Sequence, residues 1–169
     1  MYKARPSLGV AEATRAAGGL FVLDGIASGL QWVNMKALGV DVYLTAPQKG
    51  WSSPACAGIV MLGPRANKAV SETTSDTYSL NLRKWRDVME AYLGGGFAYH
   101  TTMPTDCLQI FRDAVLETRK YGFKKAHQDF VEACLKARYR FARGRCGFSI
   151  MCTFALLTGV GFILGYEDP

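Results

Sequence analysis

The stretch that decides the fold runs from residue 20 to residue 49: LFVLDGIASGLQWVNMKALGVDVYLTAPQK. Residues 20–23 form a continuous apolar run that ends at Asp24, which is typical of a strand buried on both faces. Residues 30–38 are predicted to form a short helix closed by Gly39, and residues 40–45 the next strand. A helical stretch at residues 7–17 precedes them. The order helix, strand, helix, strand predicts an α/β domain with a mostly parallel sheet.

Further elements follow on both sides of a polar stretch at residues 71–76. Residues 57–62 are predicted to form another strand, and residues 82–93 a helix that stops at three glycines, 94–96. After Pro104, apolar residues recur at helical spacing and predict a long helix. Residues 124–141 repeat that pattern, and this last helix would lead out of the domain.

Composition limits the class of protein. A chain of 169 residues usually forms one domain, and 49% hydrophobic residues are enough for a core. The five cysteines are scattered, with only two histidines, which indicates reduced thiols, no structural zinc and a cytosolic or organelle-matrix setting. Basic residues crowd into residues 119–145, where a solvated helix face is the more common explanation. Nucleic-acid binding is disfavoured because aromatic residues suited to base stacking are sparse there.

Residues 147–165 contain no charged side chain. The segment is long enough for a helix that crosses a bilayer, and the arginines just before it would stay on the cytoplasmic or matrix side. A soluble strand that enters a second, smaller domain is the alternative, since glycine and threonine dilute the apolar residues. We expect the helix, exposed to lipid or packed among apolar partner helices.

Two ionisable residues stand where the predicted strands end. Asp24 closes the first strand and Lys49 follows the second, and ligands of open parallel sheets bind at the carboxyl ends of the strands. Lys49 lies between Pro47 and Gly50 without other charges nearby, which is unusual for a solvated lysine. A partly desolvated amine favours its neutral, nucleophilic form. Lys49 and Asp24 are therefore predicted to face the same crevice.

The residues around this pair resemble a known family. Residues 19–62, reading GLFVLDGIASGLQWVNMKALGVDVYLTAPQKGWSSPACAGIVML, are similar to the cofactor-binding part of class V aminotransferases of the alanine/glyoxylate and serine/pyruvate type. The resemblance continues through residues 82–122, including AYHTTMPTD at residues 98–106. It implies a partial large domain of fold type I, the α/β fold of many enzymes that depend on pyridoxal 5'-phosphate (PLP).

The resemblance also implies roles for individual residues. Lys49 would be the catalytic residue, forming a Schiff base with the aldehyde of PLP and moving a proton between substrate and cofactor. Asp24 would pair with the pyridinium nitrogen, because the ring is an electron sink only while protonated. Ile26 would pack under the ring, and Gln48 would donate a hydrogen bond to the phosphate.

Tyr99 and Thr102 would reach the phosphate of a neighbouring subunit, as they do across the dimer interface of this family. His100, between them, is expected to hydrogen-bond within its own loop. Trp51 and Trp85 are expected to be core residues. An active enzyme would thus be a homodimer.

Three regions are predicted: residues 1–122 as a partial PLP-binding domain, 123–146 as a basic linking helix, and 147–169 as the apolar end. By the resemblance, the phosphate-binding segment and the arginine that binds the substrate carboxylate lie outside this chain. Two hypotheses follow. The chain is part of an aminotransferase that acts on a small amino acid and a 2-oxo acid, completed by other segments. Alternatively, it is an inactive, aminotransferase-derived accessory subunit of a larger assembly. The setting would be mitochondrial or cytoplasmic, with membrane association in the second case.

Overall fold

The structure is a computed structural model that describes residues 5–142. This part of the chain is a small sheet flanked by helices, which confirms the predicted α/β class. Its strands are β1 (Val22–Asp24), β2 (Val42–Thr45) and β3 (Ile59–Leu62). Its helices are α1 (Arg5–Ala16), α2 (Met35–Leu38), α3 (Pro64–Glu72), α4 (Leu82–Leu93), α5 (Thr105–Tyr121) and α6 (Phe123–Ala142).

Strand β2 is the centre of the sheet, parallel to β1 and antiparallel to β3. Leu23 lies opposite Tyr43, and Asp24 lies opposite Leu44. The prediction that the first two strands are neighbours in one sheet is confirmed, although β1 starts later than predicted and includes Asp24. Strand β3 runs back along β2 because only a loop joins the two, whereas a parallel neighbour needs a crossover connection.

A partly buried ion pair holds the starts of these elements together. Asp41, just before β2, is 5% exposed, and its Oδ2 accepts hydrogen bonds from the Phe21 N–H and from Arg65 Nη1, both at 2.9 Å. Arg65 lies in the first turn of α3 and donates its Nη2 to the Gly19 carbonyl at 2.8 Å. The beginnings of β1, β2 and α3 are therefore tied to one carboxylate.

Helix α2 is shorter than the span predicted for it, residues 30–38. Asn34 begins it, because the Asn34 side chain accepts a hydrogen bond from the Ala37 N–H at 3.0 Å. Gly39 ends it in the left-handed conformation, with φ of 65°, which glycine adopts without steric cost. Residues 30–34 are consequently a loop, and the helix occupies only the last turn of the predicted span.

Helix α3 has no counterpart among the predicted elements, although Pro64 at its first turn is a helix-start signal. Helix α4 has the predicted bounds and begins after Asn81, whose side chain accepts from the Lys84 N–H at 3.2 Å. Arg83 of α4 donates to the Val70 carbonyl at the end of α3, at 3.1 Å. That contact supplies a partner for a carbonyl near the end of α3.

Helices α5 and α6 confirm the two long helical patterns, and they contact the loops that contain Trp32 and Trp51. Trp51, in the loop after β2, meets Phe111 of α5 and Phe123 of α6 edge to face, with ring centroids 6.1 and 6.3 Å apart. His127 of α6 stacks on Trp32, with centroids 5.1 Å apart. As expected, Trp51 is a packing residue.

Several sequence expectations concern residues 147–169, which lie outside the described part of the chain. Within residues 5–142, no helix combines the length and the apolar character that a membrane crossing requires. Of the cysteines in that range, Cys56, Cys107 and Cys134 form no disulfide. The division of the chain at residues 122 and 146 stays a prediction.

Candidate functional site

Asp24 is the last residue of β1, and its carboxylate is exposed at the carboxyl edge of the sheet. Its Oδ1 accepts a hydrogen bond from the Ile26 N–H at 2.9 Å, an Asx turn that fixes the orientation of the carboxylate. Oδ2 has no hydrogen-bond or ion-pair partner among the described residues. One oxygen is therefore held by the backbone, and the other is free for a ligand. Ile26 is half-buried.

Lys49 lies in a turn that follows β2 at the same edge of the sheet. Pro47 is fully buried and anchors the turn, while Gln48 and Lys49 are exposed. The Ser53 N–H donates to the Pro47 carbonyl at 3.2 Å and closes the loop. Lys49 Nζ makes no hydrogen bond or ion pair with any described residue. Its amine is thus available, and it is more exposed than its sequence surroundings suggested.

The turn after Asp24 touches the turn before Trp51, and the contact is made by two glycines, Gly29 and Gly50. A Cβ added to Gly50 would lie 2.3 Å from the Gly29 carbonyl oxygen, a distance that no side chain tolerates. Because β1 and β2 are parallel neighbours, Asp24 and Lys49 emerge at one edge of the sheet. The structure thus brings the two turns together, and the shared crevice and the site roles of Asp24 and Lys49 stay predictions.

One polar group near this edge also lacks a partner. Ser53 is 7% exposed, and its hydroxyl makes no hydrogen bond within the described residues. A buried hydroxyl without a partner costs free energy unless another group supplies the bond. Together with the free Asp24 oxygen and the free Lys49 amine, this edge of the sheet has unused hydrogen-bonding capacity.

The Tyr99 and Thr102 hydroxyls lie 2.9 Å apart and hydrogen-bond to each other, in the segment between α4 and α5. Tyr99 is 76% exposed. Neither hydroxyl makes a further hydrogen bond to the described residues, so neither is bound to the Asp24 and Lys49 edge. His100 Nε2 lies 2.9 Å from the Tyr78 carbonyl, and its ring packs against Trp85 with centroids 5.0 Å apart. The expected hydrogen bond within its own loop is not what His100 makes, because its ring bonds to the segment that precedes α4.

A cavity of about 480 Å³ lies between the sheet and helices α5 and α6. Tyr43 and Met61 line it on the sheet side, and Thr118 and Phe123 on the helix side. Asp24, Gln48 and Lys49 do not line it. The candidate site is therefore the exposed carboxyl edge of the sheet rather than this cavity.

The sequence did not indicate the residues that support the Asp24 turn. Gly25, Ser28 and Tyr43 are all buried and in contact beneath it. The glycine directly after Asp24 is the one local signal that could have found them, since an interior glycine often marks a close approach by another group.

Comparison with known proteins supports the fold of the chain. No protein-family model matches the chain. The structure is similar to that of an alanine–glyoxylate aminotransferase from Nostoc sp. over 80% of this chain, with a TM-score of 0.65 and 22% sequence identity. It is also similar to that of an aspartate aminotransferase from Thermus thermophilus over 82% of this chain, with a TM-score of 0.61 and 25% identity. The fold is thus that of part of a fold type I aminotransferase domain.

Sequence comparison gives a likeness to a protein of the same class. Over 110 residues, 62% of this chain, the sequence is 31% identical to alanine–glyoxylate aminotransferase 1 of Saccharomyces cerevisiae. The chain spans 29% of that protein and 36–38% of the two structures. The resemblance to part of the large domain of class V aminotransferases is thereby confirmed, and it implies PLP as the cofactor.

Proposed function

We propose that this chain is part of a PLP-dependent aminotransferase that transfers an amino group between a small amino acid and a 2-oxo acid. The observation that carries the proposal is the position of Asp24 and Lys49 at the carboxyl ends of two parallel neighbouring strands, each with a free polar atom. The similarity to the yeast enzyme supports it. Because the chain spans 29% of that protein, other segments would complete the site.

The residues at this edge fit the proposed cofactor. Asp24 Oδ2 has no partner and can accept a hydrogen bond from a protonated ring nitrogen, while Oδ1 stays bound to the Ile26 N–H. A carboxylate beside the ring nitrogen favours the protonated, cationic form of the ring. Lys49 Nζ has no competing partner and can bind an aldehyde. Both ends of the ring would therefore meet a residue of suitable chemistry.

When bound, the cofactor supplies an electron sink for the negative charge that develops at the substrate Cα. Lys49 Nζ would hold the cofactor in the resting state, then accept the proton from the substrate Cα and return it during transfer. Asp24 would keep the ring nitrogen protonated throughout. Ile26 would support the ring from one side, and Gln48, exposed beside Lys49, would donate to the phosphate.

We further propose a homodimer. Exposed apolar side chains cluster in sequence around the end of α4, including Tyr92 at 60%, Leu93 at 82% and Phe97 at 84% exposure. Tyr99 and Thr102 lie just beyond them, with hydroxyls that bond only to each other among the described residues. A second copy that covers this surface would receive those hydroxyls, which suits donors to a phosphate of the partner's site.

Reductive trapping tests the proposal directly. The chain is incubated with PLP, reduced with borohydride, digested and mapped by mass spectrometry. We expect the adduct at Lys49 and none in Lys49→Ala. Lys68→Ala, which removes an exposed lysine of α3, is the matched control and should leave the adduct unchanged. Asp24→Ala should keep the adduct and lower transamination in the completed enzyme, because an unprotonated ring is a poor electron sink.

The alternative function, an inactive accessory subunit of a mitochondrial or other membrane assembly, gives the opposite result. It predicts a colourless protein and either no adduct or a random distribution over the exposed lysines. Either result would contradict the aminotransferase proposal.

A further inference from the structure

We propose that Tyr43 and Ser28 are positioning residues that hold the Asp24 turn in the conformation needed for the site; the functional meaning rests on the proposed function above. Tyr43 belongs to β2, the strand that leads to Lys49, whereas Ser28 belongs to the turn that follows Asp24. Their contact joins the two strands that carry the site residues at the edge where those residues emerge.

The donor and the acceptor can be assigned for both hydrogen bonds of the Ser28 hydroxyl. Ser28 Oγ lies 2.7 Å from the Gly25 carbonyl and 2.9 Å from the Tyr43 hydroxyl. A carbonyl can only accept, and a serine hydroxyl has one proton, so Ser28 donates to Gly25. Tyr43 must then donate to Ser28. The result is a chain of bonds from the Tyr43 hydroxyl through Ser28 to the Gly25 carbonyl, in which each bond strengthens the other.

This series of hydrogen bonds is shielded from water. Ser28 is 5% exposed and Tyr43 is 8% exposed, so water cannot easily replace either hydroxyl. The Gly25 carbonyl also accepts from the Ser28 N–H at 3.0 Å, and the Gly25 N–H donates to the Leu44 carbonyl at 2.9 Å. The peptide groups that flank Gly25 are therefore fixed on both sides, one residue after Asp24.

Contact between Gly25 and the Tyr43 ring sets the distance between the turn and β2. A Cβ added to Gly25 would lie 2.2 Å from the Tyr43 hydroxyl oxygen and 2.3 Å from its Cε2. The backbone at Gly25 thus rests directly on the Tyr43 ring, which explains why glycine follows Asp24. Since Asp24 bonds to the Ile26 N–H across this same glycine, any shift of the turn would move the carboxylate.

Amide hydrogen exchange of the chain alone, without cofactor, tests the positioning. Tyr43→Phe keeps the ring against Gly25 and removes only the hydroxyl, and Ser28→Ala removes the link. Each should accelerate exchange of the amides of residues 26 and 28 by about fivefold, the ratio typical of one lost buried hydrogen bond. Tyr92→Phe, an exposed tyrosine of α4 without a described partner, and Ser79→Ala, also exposed, are the matched controls.

The double variant shows whether the Tyr43–Ser28 and Ser28–Gly25 hydrogen bonds act as one connected series or as two separate contacts. If Tyr43 acts through Ser28, the double variant should exchange no faster than the faster single variant, whereas independent contacts would multiply to roughly 25-fold. The Val42 amide, which donates to the Phe21 carbonyl in the adjoining sheet, should keep its wild-type rate. Wild-type exchange at residues 26 and 28 in Tyr43→Phe, or equal acceleration everywhere, would overturn the proposal.

Binding of PLP gives the second measurement. In the wild type and in Tyr43→Phe, the adduct should form at Lys49, but the variant should need about fivefold more PLP for half-saturation. If the wild type traps no PLP, the proposed function fails while the exchange data still decide whether Tyr43 holds the turn. Unchanged half-saturation alongside accelerated exchange would show that the turn does not position the site.

Discussion

Arg65→Met should lower the free energy of unfolding by about 2 kcal/mol. The change removes two hydrogen bonds from a charged donor, one to Asp41 and one to the Gly19 carbonyl, each worth about 1.5–3 kcal/mol where it is shielded. Arg65 is 37% exposed, so water replaces part of that loss. The Asp41 side chain is 7% exposed, and its carboxylate would keep only one hydrogen-bond donor, the backbone N–H of Phe21. For a chain of this size, the melting temperature should fall by about 4–8 °C.

Urea unfolding followed by circular dichroism measures this loss. Lys68→Met is the matched control, since Lys68 lies on the same helix in an ion pair with Glu72 at 3.7 Å. Both partners are exposed, at 74% and 63%, so this change should cost less than about 0.5 kcal/mol. If Arg65→Met and Lys68→Met have the same midpoint and slope, Arg65 does not stabilise the starts of the strands, and our reasoning is refuted.

Two further predictions concern other parts of the fold. Gly50→Ala should cost about 1–3 kcal/mol in urea unfolding, because the new methyl group would force the turn away from the Gly29 carbonyl. Gly58→Ala, with open space around it, should cost less than about 1 kcal/mol, and equal losses would disprove the contact between the turns. Burial raises the pKa of the Cys134 thiol, so less thiolate is present at neutral pH. Iodoacetamide should therefore label Cys134 more slowly than an unfolded peptide thiol, and the labelling rate should increase as pH rises through the raised pKa. Mass spectrometry measures both rates, and equal rates for Cys134 and the peptide would contradict the effect.

The elements that the sequence predicted are those with local signals. The apolar run before Asp24 predicts β1, and the run after Gly39 predicts β2, because both are short, continuous and bounded by residues that end strands. Helix α4 has the predicted bounds because Asn81 begins it and three glycines follow it. Asp24 and Lys49 were selected from their positions after the strands together with the family resemblance, and their roles stay predictions.

The features that the sequence did not predict depend on contacts between distant residues. Asp41 and Arg65 are 24 residues apart, and neither position has a local signal for a partly buried ion pair. Helix α3 gains partners for its last carbonyls from Arg83, which belongs to a different helix. The support of the Asp24 turn by Tyr43 likewise follows from the register of β1 on β2, in which Leu23 lies opposite Tyr43, and no period in the sequence specifies that register.

The short strand β1 shows how the stabilising contacts and the candidate site depend on each other. In its register, Asp24 shares a face of the sheet with Leu44, and a slip of one residue would turn its carboxylate to the opposite face. Three residues cannot fix a register by their own ladder. Phe21 before the strand is held by the Asp41 side chain and backbone, and Gly25 after it by the Leu44 carbonyl and the Tyr43 ring. These flanking contacts decide the face on which Asp24 emerges, so a variant that loosens both ends should lose the carboxylate position before it loses the sheet.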